Sequence, residues 1–225
     1  MNTNLKVAVI GLGNIGNAVA TNLIKGNRAV IVADRKIAKA NEFSKKLGNL
    51  VRPTDIAAAI KEADIVVLAV WFNASKELLQ QYAVELQGKI IVDPSNPIAP
   101  DEKGGFKKII GEKESAGDIL SALLPKNAKL VKALGTLSVT SLVNAAFQKP
   151  ANVLFYATDD KSINAEVEQL IHDIGFEPVR IGSINQAIRL EVFGDLHEFG
   201  ALGKTVTLNE AKQLMQPSNH SLSRI

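Results

Sequence analysis

Short apolar runs alternate with amphipathic stretches through the first half of the chain. Four runs are rich in β-branched residues and almost continuously apolar, as strands buried on both faces of a sheet must be; they cover residues 5–10, 29–33, 64–70 and 89–92. The stretches between them have apolar residues at helical spacing and cover 14–25, 36–47, 54–62 and 73–86. Thr54 follows a proline and precedes an acid, so it is the predicted N-cap of the third helix. This alternation predicts βαβ units and a parallel sheet.

The second half of the chain adds fewer elements. A short helix near 117–124 precedes a strand at 129–134, and the pattern restarts after residue 150, with strands at 153–157 and 178–181 and helices at 162–174 and 184–200. The predicted fold class is therefore α/β, a doubly wound parallel sheet with a small C-terminal α/β addition. We place a soft boundary near residue 150, with residues 151–225 forming a small αβ region packed on the first 150. The last residues, PSNHSLSRI, are expected to fray.

Composition and charge exclude several classes of protein. The 225 residues contain no cysteine, which excludes a thiolate nucleophile, an iron–sulfur cluster and a cysteine-type zinc site. Basic and acidic residues number 26 and 23 and are interleaved, and aromatic residues make up only 5%, so we expect no nucleic-acid partner. No apolar run of about 18 residues occurs, and the N-terminus lacks the features of a signal peptide. We therefore expect a cytoplasmic protein with no membrane partner.

A glycine-rich loop follows the first strand directly and opens the first helix. Its six residues, Gly11, Leu12, Gly13, Asn14, Ile15 and Gly16, fit the pattern G-x-G-x-x-G. The first glycine permits a tight turn, the second lets the backbone approach a pyrophosphate, and the third lets helix and strand pack closely. Free backbone N–H groups at the positive end of the helix then face the phosphates. Strand, loop and helix together predict a Rossmann domain, residues 1–150, that binds a dinucleotide.

The two residues after the second strand bear on the choice of cofactor. Asp34 lies 23 positions after Gly11 and can accept hydrogen bonds from both ribose hydroxyls, which favours NAD and repels a 2′-phosphate. Arg35 is the kind of residue that accommodates that phosphate, and Lys39, one helical turn later, adds a second cation if Arg35 points inward. For Arg35 and Lys39 the alternative is an exposed helix face. For Asp34 the alternative is a simple N-cap of the second helix.

The chain resembles, along nearly its full length, the NADPH-dependent oxidoreductases of the coenzyme F-420 reductase type, whose relatives include the cytosolic domain of the STEAP metalloreductases. The resemblance lies in the order and spacing of the segments VAVIGLGNIGNAVATNL, ADRKIAKA, ADIVVLAVWFNAS, KIIVDPSNPI, VKALGTL and GFEPVRIG, followed by a helix that contains AIRLE. It implies a small Rossmann enzyme that binds NADP and passes hydride to or from a flavin-like acceptor. It also implies a homodimer.

The resemblance implies roles for residues at the matching positions. The family's glycine loop falls on residues 11–16, and its phosphate-reading Ser-Arg pair falls on Asp34-Arg35, with the next basic position at Lys39. NADP is therefore the implied cofactor, and Asp34 in place of Ser leaves NAD possible. The loop that passes beside the nicotinamide falls on Ala69, Val70 and Trp71. Many relatives have Pro where Trp71 stands and Asn where Gly135 stands, so one polar contact to the acceptor is expected to be missing.

Hydride transfer to a flavin-like ring needs two flat rings at close range and little proton chemistry from side chains. No catalytic residue is assigned, since the sequence has neither a Ser-His-Asp arrangement nor H-E-x-x-H. No metal site is expected, because the three histidines, His172, His197 and His220, lack zinc-site spacing and are interpreted as structural or exposed. The candidates for the acceptor pocket are Phe72, Ser95, Asn96, Thr136 and Ser138, with Trp71. For Trp71, core packing is an equal alternative.

Two other functions remain open at this point. A β-hydroxyacid dehydrogenase or pyrroline-carboxylate reductase shares the N-terminal fingerprint, but those enzymes use a long all-helical C-terminal domain, whereas two strands are predicted after residue 150. A non-catalytic module that senses the nicotinamide redox state would have the same glycine loop. The leading expectation is an NAD(P)-dependent oxidoreductase with a small-molecule redox acceptor.

Overall fold

The computed structural model describes residues 5–215 of the chain. Its strands are β1 (Val7–Ile10), β2 (Val30–Ala33), β3 (Val51–Pro53), β4 (Ile65–Leu68), β5 (Ile90–Asp93), β6 (Ile98–Pro100), β7 (Phe106–Lys108), β8 (Lys129–Lys132), β9 (Val153–Ala157) and β10 (Glu177–Gly182). Eight of them form one sheet in the order β10-β9-β8-β5-β4-β1-β2-β3, and β6 and β7 form a separate antiparallel hairpin.

The six neighbouring strands of the sheet from β8 to β3 run parallel to one another, in the spatial order of a Rossmann sheet. The strand β9 pairs antiparallel with β8, and β10 pairs parallel with β9. The predicted α/β class, a Rossmann-type sheet with a small C-terminal addition, is therefore confirmed. Because β9 and β10 continue the same sheet, the boundary near residue 150 stays a prediction.

Helices cover both faces of the sheet. They are α1 (Asn14–Lys25), α2 (Ile37–Leu47), α3 (Ile56–Glu62), α4 (Phe72–Gln81), α5 (Ala116–Ser121), α6 (Val139–Asn144), α7 (Asn164–Asp173), α8 (Ala187–Leu190) and α9 (Leu208–Met215), with 3-10 turns at Lys161–Ile163 and Ile184–Gln186. Alternate residues of β1 enter different cores: Val7 and Val9 pack into one apolar cluster, and Ala8 and Ile10 into the other. This alternation explains why the central strands are apolar at every position. None of the described helices is long and apolar enough to cross a membrane.

Three predictions of local structure are wrong. The N-cap of α3 is Asp55 rather than Thr54, and its carboxylate accepts a hydrogen bond from the backbone N–H of Ala58 at 2.9 Å. The helix predicted for 73–86 ends at Gln81, and the helix predicted for 184–200 reduces to a 3-10 turn and α8, followed by turns. The strands β3, β6 and β7 and the helices α6 and α9 were not predicted. The expected frayed tail and His220 lie outside the described residues.

Close backbone packing ends the predicted 184–200 helix early. A Cβ added to Gly194 would overlap the carbonyl oxygen of Arg189, and one added to Gly200 would overlap the carbonyl oxygen of Gly194. Phe193 has a φ of 76°, which an α-helix does not allow. The segment therefore folds back on itself instead of continuing as a helix.

Candidate functional site

The predicted site residues all follow the carboxyl ends of five neighbouring strands, or open the helices that follow them. Asp34 follows β2, the glycine loop follows β1, residues 69–71 follow β4, Ser95 and Asn96 follow β5, and residues 133–138 follow β8. The four steps from β2 to β8 span about 19 Å, because neighbouring strands lie about 4.8 Å apart. Open α/β sheets bind their ligands in the crevice at this edge. The topology thus brings residues that are distant in sequence to one edge of the sheet.

Each glycine of the loop has a different steric role. Gly11 has a φ of 92°, and a Cβ there would meet the carbonyl oxygen of Ala69 at 2.6 Å. A Cβ on Gly16 would overlap the carbonyl oxygen of Gly11, so only glycine lets α1 pack against the turn. A Cβ on Gly13 would meet nothing within 4 Å, and this residue is exposed. Gly13 therefore leaves room above the backbone for a ligand.

The N-terminus of α1 is open to an anion. No side chain caps the helix at Gly13, and the first turn contains no acidic residue. Asn14 is exposed, whereas Leu12 is buried and Ile15 is half-buried, so the loop is anchored on the core with its polar face outward. The first backbone N–H groups of a helix lack intrahelical partners and attract phosphate. These residues fit the pyrophosphate of a dinucleotide.

Asp34 ties the end of β2 to the glycine loop. One carboxylate oxygen accepts a hydrogen bond from the backbone N–H of Leu12 at 2.9 Å, and the other accepts one from the backbone N–H of Lys36 at 3.1 Å. Burial opposes ionisation, but these two N–H groups, with the nearby cations of Lys39 and Arg35, outweigh it and lower the pKa of Asp34. Because α2 begins after Lys36, Asp34 is not its N-cap.

Two cations lie beside this carboxylate. The side chains of Arg35 and Lys39 are exposed, and the ammonium of Lys39 lies 3.8 Å from a carboxylate oxygen of Asp34. This exposure is compatible both with a phosphate site and with a simple exposed helix face, because a phosphate site must also be open to solvent. Their role in binding a 2′-phosphate stays a prediction.

Of the residues that follow β4, some lie at the surface of the sheet edge and one packs in the core. Ala69 and Val70 are half-buried against Gly11, whereas Trp71 is 63% exposed, so core packing for Trp71 is wrong. Phe72 is 2% exposed and packs in the apolar core. The structure therefore places Trp71 on the surface of the edge and Phe72 beneath it.

The predicted acceptor residues after β5 and β8 divide into two kinds. Ser95 and Thr136 are 6% and 1% exposed, and neither side-chain oxygen has a hydrogen-bond partner among the described residues. Asn96 already donates to the carbonyl oxygen of Gly135 at 3.2 Å, and Ser138 caps α6 by accepting a hydrogen bond from the backbone N–H of Ser141 at 3.1 Å. Ser95 and Thr136 are thus the members of this group whose hydroxyls retain unused hydrogen-bonding capacity.

Gly135 lies where two loops touch. A Cβ there would overlap the carbonyl oxygen of Pro94, so the backbones after β5 and β8 approach closely. The carbonyl oxygen of Gly135 also faces the Nε2 of His197 at 2.9 Å, while the His197 Nδ1 accepts a hydrogen bond from the backbone N–H of Phe199. Both ring nitrogens are therefore bonded, with the proton on Nε2.

A buried ion cluster lies under the turn after β5. The ammonium of Lys132 lies 2.6 Å from a carboxylate oxygen of Asp93 and 3.6 Å from one of Glu191, and all three side chains are 3% exposed or less. Burial alone would lower the pKa of Lys132, but the two carboxylates raise it. Burial raises the pKa of Glu191 against the opposing effects of Lys132 and of two backbone N–H groups. Those N–H groups, of Ala116 and Gly117, each lie 3.1 Å from the carboxylate.

The segment of residues 191–199 closes over the loops after β5 and β8. The backbone N–H of Val192 donates to the side-chain oxygen of Asn96 at 2.7 Å. The Glu198 carboxylate accepts hydrogen bonds from the backbone N–H of Ser138 and the hydroxyl of Ser141, both at 2.6 Å. The Glu198 backbone N–H donates to the carbonyl oxygen of Thr136 at 2.9 Å. The C-terminal region therefore packs directly on the loops that carry Asn96, Thr136 and Ser138.

The sequence did not predict the roles of Lys132, Glu191 and Glu198. A signal existed for Lys132, which stands between apolar residues in the predicted strand 129–134, where an unpaired charge is costly. Its partner Glu191 gave no comparable signal, because the acid belongs to a different part of the chain. The described residues contain no cluster of three or more side chains suited to a metal ion.

Comparison with known proteins places the chain among nicotinamide-dependent oxidoreductases. The family described as "NADP oxidoreductase coenzyme F420-dependent" matches residues 6–97. The chain is 27% identical to the F420-dependent NADP reductase of Methanocaldococcus jannaschii over 69% of this chain and 68% of that protein. It is 26% identical to rat metalloreductase STEAP3 over 83% of this chain but only 36% of that protein. Both the family resemblance and the enzyme class, an NAD(P)-dependent oxidoreductase, are therefore confirmed.

Solved structures extend the similarity across the sheet. A hypothetical protein from Sinorhizobium meliloti has a TM-score of 0.78 and 26% identity, over 90% of this chain and 95% of that one. A pyrroline-5-carboxylate reductase from Coxiella burnetii has a TM-score of 0.64 at 18% identity, over 86% of this chain and 65% of that one. The second similarity shows a shared fold alone.

Proposed function

We propose that the protein transfers a hydride between NADPH and a small, flat redox acceptor of the flavin or deazaflavin type. The observation that carries this proposal is the uncapped N-terminus of α1, with exposed Gly13, beside the charged group at the end of β2. The nicotinamide supplies the hydride chemistry when it is bound. The residues of this chain bind the cofactor, orient it and shape the space next to it.

The charges at the end of β2 favour NADPH over NADH. Arg35 and Lys39 contribute two positive charges and Asp34 one negative charge, so the group has a net charge of about +1. A 2′-phosphate carries a charge of about −1.5 to −2 and is attracted to such a group. Asp34 reduces this attraction and can accept hydrogen bonds from the unphosphorylated ribose. NADPH is thus the preferred cofactor, and NADH is a usable second one.

The far side of the edge suits the acceptor. If the pyrophosphate lies on the glycine loop and the adenosine half lies over β2, the nicotinamide half lies over β4 and β5. Exposed Trp71 and the unpaired hydroxyls of Ser95 and Thr136 lie on this side. An exposed aromatic side chain can stack on a planar heterocycle. Ring-to-ring hydride transfer then requires no acid–base dyad.

The two alternative functions remain distinguishable. In the part of the chain that the structure describes, the residues after 150 add β9 and β10 to the sheet, which differs from the all-helical domain of the hydroxyacid dehydrogenases and pyrroline-carboxylate reductases. A sensor without turnover would bind the cofactor at the same glycine loop. Turnover with an added acceptor separates the sensor from the enzyme.

The test measures binding first and turnover second. Calorimetry should show saturable binding of NADPH, and Trp71, the one tryptophan of the chain, should report the same event by a change in its fluorescence. NADPH is then incubated with a deazaflavin, FMN, a quinone and a ferric chelate, and its oxidation is recorded. No saturable binding of NADPH or NADH would refute the proposal, and binding without oxidation of NADPH by any acceptor would favour the sensor.

The homodimer and cytoplasmic location implied above are further proposals, checked by light scattering and by cell fractionation.

A further inference from the structure

The buried ion cluster holds both backbone polar groups of Ser95. The backbone N–H of Ser95 donates to one carboxylate oxygen of Asp93 at 3.1 Å, and the ammonium of Lys132 donates to the backbone carbonyl of Ser95. Lys132 is itself placed between Asp93 and Glu191. The ammonium of Lys132 thus donates hydrogen bonds to Asp93 and to the carbonyl oxygen of Ser95, and the Glu191 carboxylate lies within ion-pair distance.

The next residue is held from the opposite side. Asn96 donates to the carbonyl oxygen of Gly135 and accepts a hydrogen bond from the backbone N–H of Val192, which directly follows Glu191. The turn of Ser95 and Asn96 is therefore fixed by the ion cluster and by the 191–199 segment together. Within this turn the hydroxyl of Ser95 is buried and has no partner among the described residues.

Stability alone gives a weak reason for such a cluster. Replacing a buried ion pair by apolar residues of similar size is often neutral or stabilising, because desolvation costs about as much as the charges gain. A buried hydroxyl without a partner is also destabilising, because it loses its hydrogen bonds to water. Both costs make sense if the cluster orients a turn whose free hydroxyl pairs with a ligand. The turn lies two strands from the glycine loop, about 10 Å away, on the side opposite Asp34.

Resting on the proposed function, we propose that Glu191 is a positioning residue for the cofactor. Glu191 holds Lys132, Lys132 holds the backbone of Ser95, and the turn that carries the Ser95 hydroxyl is thereby fixed beside the space for the nicotinamide half of the dinucleotide. Glu191 itself does not touch the cofactor. The C-terminal region thus contributes to cofactor binding indirectly, through Lys132 and Ser95.

The main test is the substitution Glu191→Gln, which keeps the size of the side chain and removes its charge. Lys132 then loses one of its anchors, so hydrogen exchange at the Ser95 amide should become about tenfold faster, while exchange in β1 stays unchanged. By calorimetry, NADPH should bind five- to tenfold more weakly. Binding of 2′,5′-ADP, which lacks the nicotinamide half, should change less than twofold.

Two further variants separate positioning from general damage. Glu210→Gln removes a carboxylate of the same C-terminal region that bonds only Lys204 and Thr207 among the described residues, and it should change neither exchange at Ser95 nor the binding of NADPH. Ser95→Ala should weaken NADPH as Glu191→Gln does. The double variant should be no weaker than Ser95→Ala alone, because Glu191 acts through Ser95.

The outcomes distinguish this proposal from the proposed function. Equal loss of NADPH and 2′,5′-ADP, unchanged exchange at Ser95, or additive effects in the double variant would overturn the positioning role. If the wild-type protein bound no NADPH, the proposed function and this role would both fail, whereas normal NADPH binding with an unaffected Glu191→Gln variant would reject the positioning role alone. If Glu191→Gln does not fold, Asn96→Ala removes the side-chain hydrogen bonds to Gly135 and Val192 without altering a buried charge, and it should weaken NADPH selectively over 2′,5′-ADP. Equal weakening of the two ligands by Asn96→Ala would again reject the role.

Discussion

Lys39 and Asp34 form an ion pair at the end of β2, with the ammonium 3.8 Å from the carboxylate. The same carboxylate accepts a hydrogen bond from the glycine loop through the backbone N–H of Leu12. The group proposed to distinguish a ribose hydroxyl from a 2′-phosphate is therefore connected to the loop proposed to bind the pyrophosphate. A change of charge at Asp34 should alter cofactor preference more than it alters the fold.

The substitution Asp34→Ser tests this relationship. Removal of the negative charge leaves Arg35 and Lys39 free to attract a phosphate, so the ratio of the NADH and NADPH dissociation constants should shift about tenfold toward NADPH, or about 1.4 kcal/mol. Calorimetry with both cofactors at one ionic strength measures the ratio. Asp55→Ser makes the same change of charge at the N-cap of α3 and should leave the ratio unchanged. A shift toward NADH in Asp34→Ser would contradict the assigned role.

The substitution Arg35→Ala tests the phosphate contact directly. NADPH should bind roughly tenfold more weakly, while NADH loses little, because only NADPH carries the 2′-phosphate. Lys45→Ala removes the same charge from the last turn of α2 and serves as the control. Equal loss of NADPH and NADH affinity in Arg35→Ala would rule out a phosphate role for this side chain.

Gly13, which precedes α1, and Gly16, which lies in its first turn, should respond differently to substitution by alanine. Gly13→Ala places its Cβ in open space, so the melting temperature should stay within about 2 °C of the wild type, whereas NADPH should bind at least roughly tenfold more weakly because the methyl group occupies the approach of the phosphates. Gly16→Ala places its Cβ against the carbonyl oxygen of Gly11, so it should lower the melting temperature. Scanning calorimetry and titration calorimetry measure the two effects. Unchanged affinity in Gly13→Ala would show that the ligand lies elsewhere.

Buried His197 should make the fold sensitive to acid. Burial lowers the pKa of His197 to about 4 from an ordinary 6.5, and its neutral form is fully bonded. Below pH 6.5 the imidazole of His197 binds a proton in the unfolded chain but stays neutral in the folded protein. The stability contributed by neutral His197 is therefore present above pH 6.5 and is lost as the pH falls to about 4. The full loss is about 3 kcal/mol.

Urea unfolding at pH 7.5 and pH 4.5 measures this effect. The wild type should lose about 2–3 kcal/mol more than His197→Gln between these two pH values, because glutamine does not titrate. The comparison cancels the contributions of other groups, including Glu191. An identical loss in the two proteins would show that His197 does not carry the acid sensitivity.

Local sequence patterns were sufficient for five of the six parallel strands of the Rossmann sheet. The apolar runs predicted all five strands of the edge, and the glycine loop predicted the start of α1 at Asn14, because strand burial, turn geometry and helix packing each act over a few residues. The N-cap of α3 was misplaced by one position, from Asp55 to Thr54. Which of two adjacent polar residues caps a helix depends on the backbone angles of both, and these are set by the preceding strand.

The 191–199 segment could not be derived in this way. Its helical spacing is real, but Gly194 and Gly200 pack against carbonyl groups, and these contacts exist only after the chain has folded back. The partners of Lys132 belong to β5 and to the C-terminal region, so no local pattern reveals them. Residue types and short-range spacing specified the five strands of the edge, the glycine loop and the NAD(P)-dependent class. The buried ion cluster, the exposure of Trp71 and the unpaired hydroxyls depend on long-range packing, because burial and pairing are properties of the whole fold.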